Sequence, residues 1–222
     1  MDELNVRPHI ISGTSIGSII GAFYAAGVRG EEMERLAQSV SWKEILPMFD
    51  FSLFSQSGML KGQGVMEYLR EHIPAGRFED LEIPLRISAS DFWQRREHVF
   101  EKGDLFCAIR ASISIPGLFR PIQTEEGVMV DGGMVNPVPM NTIRNECDFL
   151  IAIDVSGYSA PLKGKMIPSL FDSVMGSYQI MESYLVQRER EKHTPELFVK
   201  PGLQNINILD FYKHKRIKAD VQ

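Results

Sequence analysis

Val6-Arg7-Pro8-His9-Ile10-Ile11-Ser12-Gly13-Thr14-Ser15-Ile16-Gly17-Ser18-Ile19-Ile20-Gly21-Ala22-Phe23-Tyr24-Ala25-Ala26-Gly27 is the stretch that decides the fold. Val6 to Ile11 is short, apolar and rich in branched residues, which predicts a buried strand. Gly13 to Gly17 then predicts a turn. Ile16 to Ala26 predicts a helix that is apolar nearly all round and therefore covered on most sides, with Gly27 as its C-terminal stop. Gly17 and Gly21 stand four apart on one face of that helix, which allows a close approach to a sheet. A strand, a glycine turn and a buried helix in that order begin a layered α/β domain.

The pattern continues outward from there. Leu85 to Ser90 and Glu97 to Phe100 predict strands, and Phe119 to Gln123 with Val128 to Val130 predicts a hairpin across Glu125-Glu126-Gly127. Phe149 to Val155 (FLIAIDV) is apolar on both faces, as a central parallel strand is. Leu197 to Val199 predicts a last short strand. Helices are predicted over Glu31 to Val40 with Met33, Leu36 and Ala37 inward, over Gly64 to Ile73 ended by Pro74-Ala75-Gly76, and over Asp104 to Ser112 with Asp104 as N-cap. Ser169 to Lys192 predicts a long helix with Leu170, Val174, Tyr178, Met181 and Leu185 along one face, and Asp210 to Ala219 a terminal one. Leu46 to Leu60 is rich in Phe, Leu and Met but fits no single period, which predicts an apolar loop or cap.

The chain has 222 residues, the size of one large domain, and a chain of that size buries a full core without disulfides. Its 24 basic and 29 acidic residues give a net charge of −5, which makes a general nucleic-acid binder a poor reading. Cys107, expected to be buried, and Cys147 form neither a metal-ligand spacing nor a disulfide framework. No apolar run reaches the ~18–20 residues that cross a bilayer, and MDELNVRPHIIS lacks the basic start and apolar middle of a signal peptide. A soluble, cytoplasmic protein is the expectation.

Gly13-Thr14-Ser15-Ile16-Gly17 is a Gly-x-Ser-x-Gly between a predicted strand and a predicted helix, the context of a nucleophile elbow. There a serine stands on a strained turn, Gly13 and Gly17 remove side chains that would collide, and the Ile16 N–H at the helix start is the natural first oxyanion donor. Ser15 as a plain N-cap is the simpler alternative. A serine nucleophile needs a base. The histidines are His9, His72, His98, His193 and His214, and none lies in a loop of the kind that presents a catalytic imidazole. Asp131 ends an apolar strand and precedes Gly132-Gly133, so a buried carboxylate there could accept the Ser15 proton directly. An ordinary Asp-Gly turn explains the same residues. No cluster has metal-ligand spacing, and no cofactor is implied.

Four motifs together resemble the patatin-like phospholipases: Gly13-Thr14-Ser15-Ile16-Gly17, Ala111-Ser112-Ile113-Ser114-Ile115-Pro116-Gly117-Leu118-Phe119, Val130-Asp131-Gly132-Gly133 and Asn136-Pro137-Val138-Pro139. The resemblance runs from Met1 to the Asp210-Phe211 region. It implies a three-layer α/β/α sandwich with a mainly parallel central sheet, in a single domain spanning residues 1–222. It also implies a serine lipid acyl hydrolase with Ser15 and Asp131 as a catalytic dyad, and lipid or another acyl ester as substrate. The family's Gly-rich oxyanion loop follows a first β-strand ahead of the elbow, and Met1-Asp2-Glu3-Leu4 looks like the tail of the helix that follows that loop. The domain is thus expected to be truncated at its N-terminus. That truncation leaves the Val6–Ile11 strand with an open edge, so the chain is expected either to self-associate there or to be markedly less stable than a form extended at the N-terminus. It also leaves a second reading open: a silent member of the fold that binds lipid or a protein partner. Leu46 to Leu60 fits a mouth for acyl chains or plain core packing. The basic run Lys213-His214-Lys215-Arg216-Ile217-Lys218 fits a peripheral membrane contact or a solvated helix face.

Overall fold

The computed structural model describes residues 1–39, 62–157 and 167–203. In chain order it contains β1 (Ile11–Thr14), α1 (Ile16–Ala25), α2 (Gly30–Ser39), α3 (Gln63–His72), β2 (Leu85–Asp91), β3 (Arg96–Phe100), α4 (Leu105–Ser112), β4 (Ile122–Gln123), β5 (Val128–Asp131), β6 (Ile151–Ile153), α5 (Leu170–His193) and β7 (Leu197–Val199). The architecture is α/β. Its five-stranded sheet is mixed, so the expectation of a mainly parallel one holds only for part of it: β1–β2 is parallel, whereas β2–β3, β2–β5 and β4–β5 are antiparallel, and a separate two-stranded sheet pairs β6 and β7 in parallel. The predictions over Leu46–Leu60, Asp210–Ala219 and the basic run Lys213–Lys218 lie outside the described residues.

The register of β2 places everything that matters later. β3 pairs with β2 from Ile87 to Asp91 and so occupies one of its two edges. The other edge is shared. β1 lies along Leu85–Ser88 and β5 along Ala89–Asp91. Because β1 runs parallel to β2 and β5 antiparallel, their C-terminal ends meet head to head. Thr14 sits opposite Ser88 and Asp131 opposite Ala89. The residue that follows Thr14 is Ser15.

The core forms where α1 and α4 cover this sheet and α3 packs on α4. Ala22, Ala25, Ile87, Leu105, Ile109 and Met129 are fully enclosed. Gly21 permits the tight approach of α1, since a Cβ there would stand 3.1 Å from Leu85 Cδ1 and 3.2 Å from Ile11 Cγ2. Gly27 ends the helix with φ +90°, a conformation that suits glycine. Asp104 caps α4, its carboxylate accepting from the Cys107 N–H at 2.7 Å. Ser169 and Asp172 form a reciprocal capping box at the start of α5.

Several sequence expectations need correction. The first strand is Ile11–Thr14, not Val6–Ile11. Pro8 has no N–H to give a ladder, and Val6 folds back to donate to the Met1 carbonyl at 3.1 Å. Ser12, Gly13 and Thr14 are paired strand residues, so the turn is confined to Ser15. In FLIAIDV only Ile151–Ile153 is strand, in a separate two-stranded sheet with β7. Leu150 and Ala152 are buried beside Met140, whereas Phe149 and Ile153 are exposed, so the run has one buried face rather than two. Ala37 is exposed although Met33 and Leu36 pack on the core, and Cys107 is half-buried rather than buried. On α5 the inward residues include Tyr178 and Val186, while Leu170, Val174 and Met181 face outward.

Candidate active site

Ser15 has φ 53° and ψ −121°, in the positive-φ region that side-chain-bearing residues rarely enter. Surrounding groups hold it there. Its N–H donates to Ser112 Oγ at 2.8 Å, and that hydroxyl donates to the Ser88 carbonyl at 2.7 Å. Its own carbonyl accepts from Ser18 N at 2.9 Å and Ser18 Oγ at 2.6 Å. A backbone strained at one residue and fixed on both sides makes a sharp turn from strand to helix. Gly13 is obligatory in it, because a Cβ would lie 2.3 Å from the Gly17 carbonyl oxygen. Gly17 differs from expectation: a Cβ there meets nothing within 4 Å, so it relieves no clash.

Asp131 is wholly buried. One carboxylate oxygen, Oδ1, accepts from the Gly133 N–H at 2.8 Å and from the Tyr178 hydroxyl at 3.1 Å. The other, Oδ2, is buried with no hydrogen-bond partner. Burial is the largest influence and pushes the carboxyl up to about 6, against the opposing hydrogen-bonding influences of Ser15, Gly133 and Tyr178. The two glycines after Asp131 bring the chain against its neighbours. A Cβ on Gly132 would lie 2.3 Å from the Ser88 carbonyl and 2.9 Å from Thr14 Cγ2, and one on Gly133 would lie 2.3 Å from the Tyr178 hydroxyl. Thr14 Oγ1 donates to the Asn136 carbonyl at 2.8 Å, tying the end of β1 to the segment after Asp131. Asn136 in turn donates to Glu97 at 2.7 Å, as Ser88 does, so the Asn-Pro-Val-Pro segment is anchored to β2 and β3.

Sequence reasoning missed Tyr178 and Glu182 as site residues. They stand one turn apart on α5, both toward Gly133. Burial, followed by the Asp131 charge, pushes the Glu182 carboxyl up to about 8, and burial raises the Tyr178 phenol as well. At neutral pH Glu182 is thus mostly protonated, and Tyr178 is a hydrogen-bond donor held against Asp131. The available signal was a glutamate four residues after a tyrosine on a buried helix stripe.

The structure brings together Gly13, Ser15, Asp131, Gly132 and Gly133, all but Ser15 enclosed. Ile16 and Gly17 form the first turn of α1, where N–H groups lack intrahelical partners. The described histidines lie elsewhere. His9 contacts the Glu146 carbonyl, His72 stacks on Tyr68, His98 packs against Phe100 and His193 pairs with Glu189. His214 lies outside the described residues. Among the described residues no group of three or more His, Cys, Asp or Glu could hold a metal ion, and no helix is long and apolar enough to cross a membrane.

Residues 1–143 match the family described as patatin-like phospholipase. An uncharacterised NTE family protein of Mycobacterium tuberculosis is 34% identical over 151 residues, covering 68% of this chain and 41% of that protein. A second uncharacterised NTE family protein of the same organism is 30% identical over 254 residues, covering 100% of this chain and 41% of that protein. Lysophospholipase NTE1 of Kluyveromyces lactis is 25% identical over 256 residues, covering 98% of this chain and 17% of that protein. The chain thus spans about two fifths of the length of the first of these relatives.

Proposed function

The chain belongs to the patatin-like phospholipase family, and we propose that it is a carboxylic-ester hydrolase that cleaves acyl esters of lipids through a Ser15–Asp131 dyad. The observation that carries this reading is the meeting of β1 and β5 on one edge of β2. It sets a strained serine at the end of one strand beside a buried aspartate at the end of the other, with one carboxylate oxygen unpartnered.

The chemistry follows from these positions. As the Ser15 oxygen bonds the ester carbonyl carbon, its proton passes to Asp131, through the oxygen that Gly133 and Tyr178 leave free. The carbonyl oxygen becomes an oxyanion, and the Ile16 N–H at the start of α1 is the donor suited to it. Asp131 then gives the proton to the leaving alcohol oxygen as the ester C–O bond breaks. Water attacks the acyl-serine, again losing its proton to Asp131, and Ser15 leaves with that proton. A carboxyl titrating at about 6 is mostly ionised at neutral pH and is a stronger base than an ordinary aspartate. A lysophospholipid is the natural first substrate to test, given the activity named for the Kluyveromyces relative. Such a substrate calls for peripheral contact with a membrane. Self-association is the further part of the reading, since β1 pairs only with β2 among the described strands.

The test is hydrolysis of a lysophospholipid and of a soluble p-nitrophenyl ester by the purified chain. Turnover of either that vanishes in both Ser15→Ala and Asp131→Asn supports the proposal. Turnover that survives Ser15→Ala, or none in the unaltered chain, refutes it.

A further inference from the structure

The turn between β2 and β3 carries Phe92-Trp93-Gln94-Arg95. Its backbone N–H groups all have partners. Asp91, itself buried, accepts from the N–H groups of Trp93 at 3.1 Å and Gln94 at 3.0 Å, and the Asp91 carbonyl accepts from Arg95 N at 2.9 Å. Arg95 closes the turn with φ 54°, and Phe92 N donates to the Val128 carbonyl at 2.9 Å, bracing the turn against β5. None of these bonds needs an aromatic side chain at 92 or 93. Yet both are aromatic, and both point to solvent, with Phe92 49% and Trp93 74% exposed. Their rings pack edge to face with centroids 4.9 Å apart, so they form one raised apolar knob.

The place of this knob follows from the register. Asp131 lies opposite Ala89 and β2 continues through Ser90 and Asp91 in the direction in which β1 delivers Ser15. Phe92 is three residues beyond Ala89, about 10 Å along the strand. We propose that the Phe92–Arg95 turn is an interfacial anchor, its two rings entering the headgroup region of a phospholipid bilayer and holding the Ser15–Asp131 site at the surface that supplies its substrate. The proposal rests on the reading of that site as one for lipid esters.

Aromatic side chains, tryptophan above all, settle at the boundary between headgroups and acyl chains, where an apolar ring and a polar N–H are both accommodated. A rigid turn presents them with little loss of conformational freedom on binding. Local charge selects the kind of surface. Arg95 and Arg96 flank the rings, but Glu125 and Glu126 occupy the neighbouring turn, which is held against this one through Val128 and lies close to Asp91 at Gly127. The patch is near neutral, so it fits a zwitterionic phosphatidylcholine surface and its binding depends only weakly on salt.

Phosphatidylcholine vesicles are the probe. Trp93 and Trp42 are the two tryptophans of the chain, so Trp42→Phe leaves Trp93 as the single emitter. Titration with vesicles should shift its emission to the blue and protect it from an aqueous quencher. In the unaltered background, Phe92→Ser with Trp93→Ser should weaken vesicle cosedimentation at least tenfold and slow hydrolysis of vesicle-borne lipid by a similar factor. It should leave hydrolysis of a soluble p-nitrophenyl ester within about twofold. Vesicle binding unchanged in the double variant, no change in Trp93 emission, or binding that requires anionic lipid would each overturn the anchor. Vesicle binding lost in the double variant, from a chain that hydrolyses neither ester, would uphold the anchor and refute the catalytic reading instead.

Discussion

Replacing Asp131 by asparagine should abolish the base and, at the same time, make the folded chain more stable at alkaline pH than at acid pH relative to the unaltered protein. The carboxyl is wholly buried and titrates at about 6, against 3.8 for an ordinary aspartate. The folded state therefore holds this proton more tightly than the unfolded state does. Its contribution is fullest below about pH 4 and is lost as pH rises through about 6. The gap of about two units is worth ~3 kcal/mol in full, and ~2 kcal/mol of it falls between about pH 4.5 and about pH 8. The substituted asparagine cannot ionise. Its carbonyl can still accept from Gly133 and Tyr178, while its amide takes the place of the unpartnered Oδ2, a packing and hydrogen-bonding cost of ~1–3 kcal/mol that does not vary with pH. That constant cost drops out when the stability difference between variant and parent is compared at the two pH values. Urea unfolding at each pH should show the difference moving by about 2 kcal/mol in favour of the variant on going to the higher pH. A difference that stays flat, or moves the other way, would mean that Asp131 is not raised by burial, and the case for it as a base would fall with that.

Activity should share the same titration. kcat/KM should rise with pH through about 6 as Asp131 ionises, and Tyr178→Phe, which removes a donor favouring the carboxylate, should move that limb upward in a stopped-point pH profile. Gly13→Ala places a Cβ 2.3 Å from a backbone oxygen and should cost more than about 3 kcal/mol in urea unfolding. Gly17→Ala meets open space and, by its gain in helix propensity, should be neutral or stabilising by up to ~1 kcal/mol. His9→Ala and His193→Ala should leave ester hydrolysis within about tenfold, far short of the loss from a true triad member; a collapse in either would return the base to a histidine.

The sharp strand-to-helix turn at Ser15 was legible because its signal is local: a glycine before the serine, then a helix apolar enough to need cover. The Asp104 cap, the hairpin across Gly127 and the stop at Gly27 were legible for the same reason, each resting on a residue whose side chain or backbone freedom dictates the local turn. Pairing was not legible. FLIAIDV is apolar on both faces apart from Asp154, and nothing local says that Leu150 and Ala152 fill a cluster while Phe149 and Ile153 stay exposed. The head-to-head meeting of β1 and β5 also depends on the register of β2, which joins residues more than a hundred positions apart. Tyr178 and Glu182 carry no comparable signal, because a buried helix stripe is recognised in a sequence by its apolar members. The stripe is chosen by tertiary contact, and it passes over Leu170 and Met181 in favour of two polar residues that the aspartate can use.

Covalent trapping reads the activation of Ser15 by Asp131 without a substrate. The purified chain should be treated with a fluorophosphonate probe at about pH 8 and again at about pH 5, digested, and the labelled peptide identified by mass. The account predicts a single adduct on Ser15 that forms at least several-fold faster at the higher pH, where Asp131 is ionised, and that is absent in Ser15→Ala and reduced at least a hundredfold in Asp131→Asn. An adduct on any other residue, or labelling of Ser15 that proceeds at the parent rate without the Asp131 carboxylate, would contradict it.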